Sequence, residues 1–482
     1  MTLIATTLLT LLTLTTSAGC HKMQNDGYEL TGINLNVASL DLKTGERFQL
    51  RATAVPALAN QPNYEWTSTD LSVATVINGL VTAVSPGKTN ISVTYGSIRR
   101  EIAVDVSPDK KDENHVVLYE KQLTGSSFPD LVLNGVGQPE AAGLLISGKN
   151  DVVRLNRFYA LAERKVQYEV VFSEDALAIF RSSEGDFSAF VDVKNKSISI
   201  ATNPVTKREV SFLTSGRAYL IEIYHIYQLA RLRITDIRSG AAAEIVAVHD
   251  GQGGVGQGAL QNGFGVGMQW DYYCFGLKEG TSMLVKKITV LALKRDAKLL
   301  MYGDSITQPE GYFPSADFPK AWTQQVIARL NGRAISSGRG GAQIDMVLDY
   351  IRNELPYIRP EYVMVTIGTN GGNTEEKLTR LVDYIISQGA IPILNNIPSN
   401  ESGTQIKENE LIEKVRQKRN LKGCRFDLAT SLQGDGKEVD KSTMYWEDYS
   451  GSYGWQVYHH PNEKGGDRMF AQTLKDIPEI YE

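Results

Sequence analysis

The stretch Leu299-Leu300-Met301-Tyr302-Gly303-Asp304-Ser305-Ile306-Thr307 decides how the rest of the chain is read. An apolar run ends abruptly in Gly-Asp-Ser, and a polar loop follows. A short apolar run closed by a glycine turn reads as a buried parallel strand that delivers a loop to the carboxyl edge of a sheet. Open α/β sheets bind their ligands at that edge. A serine presented there acts as a nucleophile when a base reaches it.

From Lys298 onward the rhythm is strand, loop, helix. Leu299–Tyr302, Tyr362–Ile367 and Ile391–Leu394 are the strand candidates. Between and after them lie helix-period segments at Ala321–Leu330, Ile344–Leu355, Glu375–Ser387 and Glu408–Arg419. This alternation predicts a parallel sheet with helices on both faces, a single doubly wound domain over residues 297–482.

Four loops fall at strand ends: Gly303-Asp304-Ser305, Ser336-Ser337-Gly338-Arg339-Gly340-Gly341, Gly368-Thr369-Asn370-Gly371 and Tyr458-His459-His460-Pro461-Asn462. In this order they resemble the SGNH (GDSL-like) hydrolases, a family of esterases and lipases with an α/β/α three-layer, flavodoxin-like fold. The resemblance covers Lys298 to the end. It implies that Ser305 is the nucleophile and His460 the general base. It also implies that the N–H groups of Ser305 and Gly341 and the Asn370 amide face the oxyanion. The chemistry suits these residue types. Attack on an ester carbonyl creates a tetrahedral oxyanion, and fixed donors around it are worth about 2.7–4 kcal/mol each. Histidine takes the serine proton and returns it to the leaving alcohol.

Two positions depart from the family pattern. Gly371 stands where the third block usually has Asp, which we read as a structural change. Val457 stands three residues before His460, where the family places the Asp that orients the histidine. Valine accepts no side-chain hydrogen bond, so the His460 ring needs another partner. A backbone carbonyl would make a Ser-His dyad. A carboxylate from the preceding segment would complete a triad, with Glu447 and Asp448 nearest in sequence, and we assign Asp448. Loss of activity is the third outcome. Asp304 is expected to be a loop-stabilising acceptor and His459 a neighbour of the base. Arg339 either meets substrate or is solvated. The aromatic segment Trp446, Tyr449, Tyr453 and Trp455 either walls an acyl or sugar site or packs over the domain edge.

The chain before this domain divides into display elements. Leu3–Ala18 is an apolar, Thr-rich run that ends in small residues, as a secretory signal does. Ser17-Ala18-Gly19-Cys20 resembles a bacterial lipobox, which implies that residues 1–20 are a lipoprotein signal whose Cys20 is lipidated and becomes the new amino terminus; the alternative is an ordinary signal peptide cut elsewhere. The stretch departs from the lipobox pattern in having Ser17 at the usual leucine position and no Lys or Arg before the run. Residues 28–107 alternate in short strands with turn residues between them and predict a β-sandwich. Within them Tyr64–Val76 and Gly79–Gly87 resemble the bacterial immunoglobulin-like domain of group 2, with Trp66 in its core, and the module is expected to be a spacer without a site. A charged linker follows. Residues 115–295 are again strand-rich and predict a second sandwich of jelly-roll or lectin-like type. Gly251–Gly267 reads as a long glycine-dense loop.

The 482 residues carry a formal net charge of −5 and a sequence pI of about 5.8, which gives no electrostatic basis for binding nucleic acid. The cysteines Cys20, Cys274 and Cys424 form no disulfide framework and no metal-binding spacing. No metal and no cofactor are expected. The reading is thus an exported, lipid-anchored envelope protein of bacteria: two β-sandwiches followed by a serine esterase. Its expected substrate is an O-acyl, preferably O-acetyl, ester on carbohydrate. The alternatives are a lipase or general carboxylesterase, and a glycan-binding surface protein whose hydrolase domain has decayed.

Overall fold

The computed structural model describes residues 29–482 except 45, 57–62, 108–114, 150, 184–186, 203–204, 249–271, 295, 315–316, 449, 451–453 and 455. The signal segment, Cys20, the Gly251–Gly267 loop, Tyr449, Tyr453 and Trp455 lie outside the described residues. The protein is multidomain, with two all-β modules ahead of an α/β/α domain.

The first module pairs a four-stranded sheet (order Ser39–Lys43, Ile98–Ser107, Gly87–Tyr95, Glu65–Ser68) with a three-stranded one (Arg47–Gln49, Leu80–Ala83, Ala74–Ile77). Alternation along Gly87–Tyr95 and Ile98–Ser107 turns Ile91, Val93, Ile102 and Val104 inward, and Trp66 packs against this core.

The second module is a sandwich of two larger antiparallel sheets. Its central strand Met283–Ala292 pairs with both Val116–Gln122 and Glu163–Phe172, so the two ends of the module close on one strand. Leu177–Ser182 alternates strictly, burying Ala178, Phe180 and Ser182 between the sheets. Cys274 here and Cys424 in the last domain are free and buried.

In the α/β domain four parallel strands run in the order Ala334–Gly338, Leu299–Gly303, Tyr362–Thr366, Ile391–Leu394. Every residue of Leu299–Gly303 is buried, as a strand covered on both faces requires. The helices turn apolar stripes inward. Leu378, Leu381, Val382 and Ile385 of helix Glu375–Ser387 fall at i, i+3, i+4 and i+7, and burying each stabilises the fold by about 1.5–3 kcal/mol. Thr374 caps that helix by accepting from Lys377 N at 3.1 Å. The first strand in sequence lies between the second and third, so the chain reverses direction of growth beside Leu299–Gly303. That makes its carboxyl end the topological switch point, where open α/β sheets bind their ligands. No described helix is long and apolar enough to cross a membrane.

The three modules are packed together. Arg231 of the second donates to the Val84 carbonyl of the first at 2.7 Å, and Arg47 of the first stacks 4.6 Å over Tyr227 of the second. Glu354, fully buried in helix Ile344–Ile358, accepts from Ala160 N at 2.7 Å, Leu161 N at 3.3 Å and Ser337 Oγ at 2.7 Å. Ala162 N donates to Ser336 O at 2.9 Å. The second module is therefore docked against the strand that leads to the Arg339–Gly341 loop.

Candidate active site

Ser305 sits one turn beyond the carboxyl end of strand Leu299–Gly303 and is 5% exposed. Its loop is held from within. The buried Asp304 carboxylate accepts from Ile306 N at 3.0 Å and from Thr369 N at 3.2 Å, which ties the residue before Ser305 to the residue before Asn370. Burial pushes the Asp304 carboxyl above the usual carboxylate range. Asp304 is a loop-fixing acceptor, as its position in the motif suggested.

Ser305 Oγ lies 2.8 Å from His460 Nε2. His460 is 4% exposed and is the next-to-last residue of the strand Gln456–Pro461. The residue pair after it has a local reason. Asn462 caps helix Glu463–Asp476 by accepting from Gly465 N at 3.1 Å, and its amide donates to Ser442 O and Met444 O. The cap fixes the strand-to-helix turn and with it the position of the imidazole.

On the far side of the ring, both oxygens of Glu447 lie 2.8 Å from His460 Nδ1. Glu447 is completely buried. It belongs to strand Met444–Asp448, which pairs antiparallel with Gln456–Pro461 so that Glu447 stands opposite Val457. The assignment of Asp448 as the acid partner is corrected. Adjacent residues of a strand point to opposite faces. Asp448 points away from His460, where it accepts from Ser450 N at 2.8 Å and Gln456 Nε2 at 3.1 Å. The hairpin partner of Gln456–Pro461 was the missed signal: with Trp446 exposed and Glu447 buried, the two-residue period separates the carboxylates.

The remaining loops adjoin. Ser336–Gly338 is not loop but buried parallel strand, whose polar hydroxyls concealed it. Ser336 Oγ donates to Thr307 O at 2.5 Å and Ser337 Oγ to Glu354. Gly340 N donates to Gln308 Oε1 at 2.5 Å. Gly341 has φ +73°, a conformation glycine adopts freely, and open space where a side chain would stand. The half-buried Asn370 amide donates to Ala342 O at 3.0 Å, so it adjoins the residue after Gly341. Gly371 closes the turn at φ +68°, with its N–H donating to Gly368 O at 2.8 Å.

Around the histidine, Tyr312 stacks on the imidazole with ring centroids 4.0 Å apart and planes 24° from parallel. Burial drives the Tyr312 phenol well above its ordinary range. His459 meets His460 edge-on at 4.6 Å, and desolvation together with His460 pushes its pKa down to about 3. Arg339 donates to the Gly340 carbonyl. Trp446 is 42% exposed and pairs across the hairpin with Tyr458. Among the described residues no group of three His, Cys, Asp or Glu side chains is placed to hold a metal ion.

Comparison with known proteins gives the following. No curated protein matches the chain. Among solved structures, a GDSL-like lipase from Bacteroides thetaiotaomicron aligns at 15% identity over 37% of this chain and 87% of that one, with a TM-score of 0.29. An acetylxylan esterase from Geobacillus stearothermophilus aligns at 16% identity over 38% and 94%, with a TM-score of 0.30. Arcelin-5, a lectin-like defence protein from Phaseolus vulgaris, aligns at 10% identity over 38% and 100%, with a TM-score of 0.28. Residues 29–103 match the family model of the bacterial Ig-like domain (group 2), and the first module belongs to that family.

Proposed function

We propose that this protein is a serine esterase. Ser305 is the nucleophile, His460 the general base, Glu447 its acid partner, and the N–H groups of Ser305 and Gly341 with the Asn370 amide the oxyanion donors. One observation carries the reading: the unbroken chain Ser305 Oγ, His460 Nε2, His460 Nδ1, Glu447, with every link at 2.8 Å, at the switch point of a parallel sheet. His460 takes the Ser305 proton as Oγ attacks the ester carbonyl. The same proton then goes to the departing alcohol, leaving an acyl-serine. Water enters by the same route and releases the acid. Glu447 holds the Nδ1–H tautomer and balances the imidazolium as it forms.

We assign a small acyl group, such as acetyl, on a carbohydrate alcohol. The nearly closed Ser305–His460 pair favours a short acyl chain. The exposed Trp446, opposite Tyr458, lies on the face of its strand turned away from His460 and offers sugar rings an aromatic surface beside the site rather than a wall of it. Export and lipid anchoring through Cys20 suit such a substrate, and the immunoglobulin-like module would carry the enzyme away from the membrane.

A fluorophosphonate probe tests the chemistry. Labelling of the purified chain is expected on the Ser305 peptide and absent in Ser305→Ala. Among 4-nitrophenyl esters, acetate is expected to exceed octanoate by about a hundredfold in kcat/KM, since each extra methylene that a pocket rejects discriminates by about ten- to two-hundredfold. Preference for octanoate would favour a lipase, and no labelling at all would favour a binding protein.

A further inference from the structure

The tip of one hairpin of the second module is plugged into the α/β domain. Strands Ala218–Ile226 and Leu229–Asp236 pair up to Ile226 and Leu229, leaving Tyr227 and Gln228 as the two turn residues. Two-residue hairpin turns are normally Asn-Gly-like and exposed. This one is a tyrosine at φ +51° followed by a glutamine, and both are buried. A bulky residue in that backbone region is costly and is kept where its surroundings hold it. Tyr227 Oη accepts from Ser336 N at 3.4 Å, and its ring meets Phe318 at 5.8 Å.

Gln228 reaches further. Its Nε2 donates to Glu310 O at 3.2 Å and to Phe313 O at 2.9 Å. Those carbonyls bracket Tyr312, the residue stacked on His460. The segment is otherwise a single tight turn, with Tyr312 N and Phe313 N both donating to Pro309 O at 3.0 Å. The Tyr312 hydroxyl also stands beside Gly340, only 2.6 Å from where a Cβ there would lie, so the ring spans from the imidazole to the Arg339–Gly341 loop.

We infer that the second β-sandwich is part of the esterase apparatus, with Gln228 a positioning residue that sets Tyr312 against the His460 ring. The inference rests on the esterase reading above for its kinetic consequence, though not for its geometry. The amide fixes two carbonyls that lie within two chain positions of the stacked ring. Removing it frees the turn, and the ring that confines the imidazole shifts with it.

Two measurements on the full chain test this. In the first, Gln228→Ala and Tyr312→Ala are assayed singly and together on 4-nitrophenyl acetate. Gln228→Ala is expected to lower kcat about tenfold with KM nearly unchanged, within the range that small misplacement of a reacting group costs. In the Tyr312→Ala background the same change is expected to cost less than about twofold, because residues acting through one another are not additive. Equal losses in both backgrounds would overturn the inference. In the second, the six histidines are labelled with 13C at Cε1 and His460 is assigned with His460→Asn. Its resonance is expected to lie upfield under the Tyr312 ring and to move downfield in both Gln228→Ala and Tyr312→Ala. An unchanged resonance in folded Gln228→Ala would overturn the inference. Gln228→Met, which removes the donors and keeps the length of the side chain, takes the place of Gln228→Ala if the latter does not fold. The resonance is read without turnover, so an inactive wild type defeats the esterase reading and leaves the positioning role still decided by the spectrum.

Discussion

Glu447 stands directly opposite Val457 in the antiparallel pair Met444–Asp448 and Gln456–Pro461, and from there both its oxygens reach His460 Nδ1. Val457 occupies the position from which an aspartate on the histidine's own strand would orient the ring. Here the carboxylate comes from the facing strand at the matching register. The longer glutamate spans the extra distance across the hairpin, and the ring receives the same partner from a different segment of chain.

This geometry separates two adjacent carboxylates. Glu447→Ala is expected to lower kcat by about 10³–10⁴, the scale seen when the orienting acid of such a triad is lost. Asp448→Ala is expected to stay within about twofold of wild type, since this half-buried carboxylate bonds only within its own hairpin, to Ser450 N and Gln456 Nε2. Steady-state kinetics on 4-nitrophenyl acetate checks both, and the reverse order would return the acid role to Asp448.

Asn370 is expected to act in the transition state rather than in binding. Asn370→Ala should lower kcat by about 10²–10³ with little change in KM, as removal of one oxyanion donor does. A rise in KM at constant kcat would instead place its amide on the ground-state substrate.

Asp304 accepts from two loop N–H groups, that of Ile306 buried and that of Thr369 half-buried. Asp304→Ala leaves both without a partner and is expected to cost about 1–3 kcal/mol for each donor orphaned. A lowered Tm together with lost activity checks this. Lost activity at an unchanged Tm would give Asp304 a chemical role.

Glu354 is expected to make the docking of the second module sensitive to pH. Burial raises its pKa from 4.5 to about 7, against the opposing pull of Ser337, Ala160 and the nearby Arg164. The folded state thus binds this proton more tightly than the unfolded chain. The stability it contributes is complete below about pH 4.5 and is lost as pH rises through about 7. Buried Glu310, raised to about 8, acts in the same direction over a slightly higher range. Apparent Tm is therefore expected to fall between these limits, and Glu354→Gln to flatten the fall up to pH 7 while leaving the Glu310 part. Identical pH profiles for wild type and variant would contradict the assignment.

The sequence made some of this legible and hid the rest for physical reasons. The parallel strands Leu299–Gly303, Tyr362–Thr366 and Ile391–Leu394 are buried except at Tyr362 and Ile391, where the last two begin, and read as plain apolar runs. The helices carry clear stripes, and Glu375–Ser387 begins and ends where its period does. Strand Ala334–Gly338 was hidden because Ser336 and Ser337 bury hydroxyls that bond to a carbonyl and a carboxylate, so it lacks an apolar signature. Glu447 was hidden because its role depends on register across a hairpin and not on its spacing from the histidine along the chain. The contact between Gln228 and the Tyr312 segment joins residues more than eighty positions apart, and no local pattern encodes it.

The most direct test of the esterase account is turnover of 4-nitrophenyl acetate by the purified wild-type chain beside Ser305→Ala. The account predicts measurable turnover by wild type and its reduction to near the uncatalysed rate in Ser305→Ala, in a variant with an unchanged Tm. Wild type no faster than Ser305→Ala, on acetyl and longer esters alike, would contradict it.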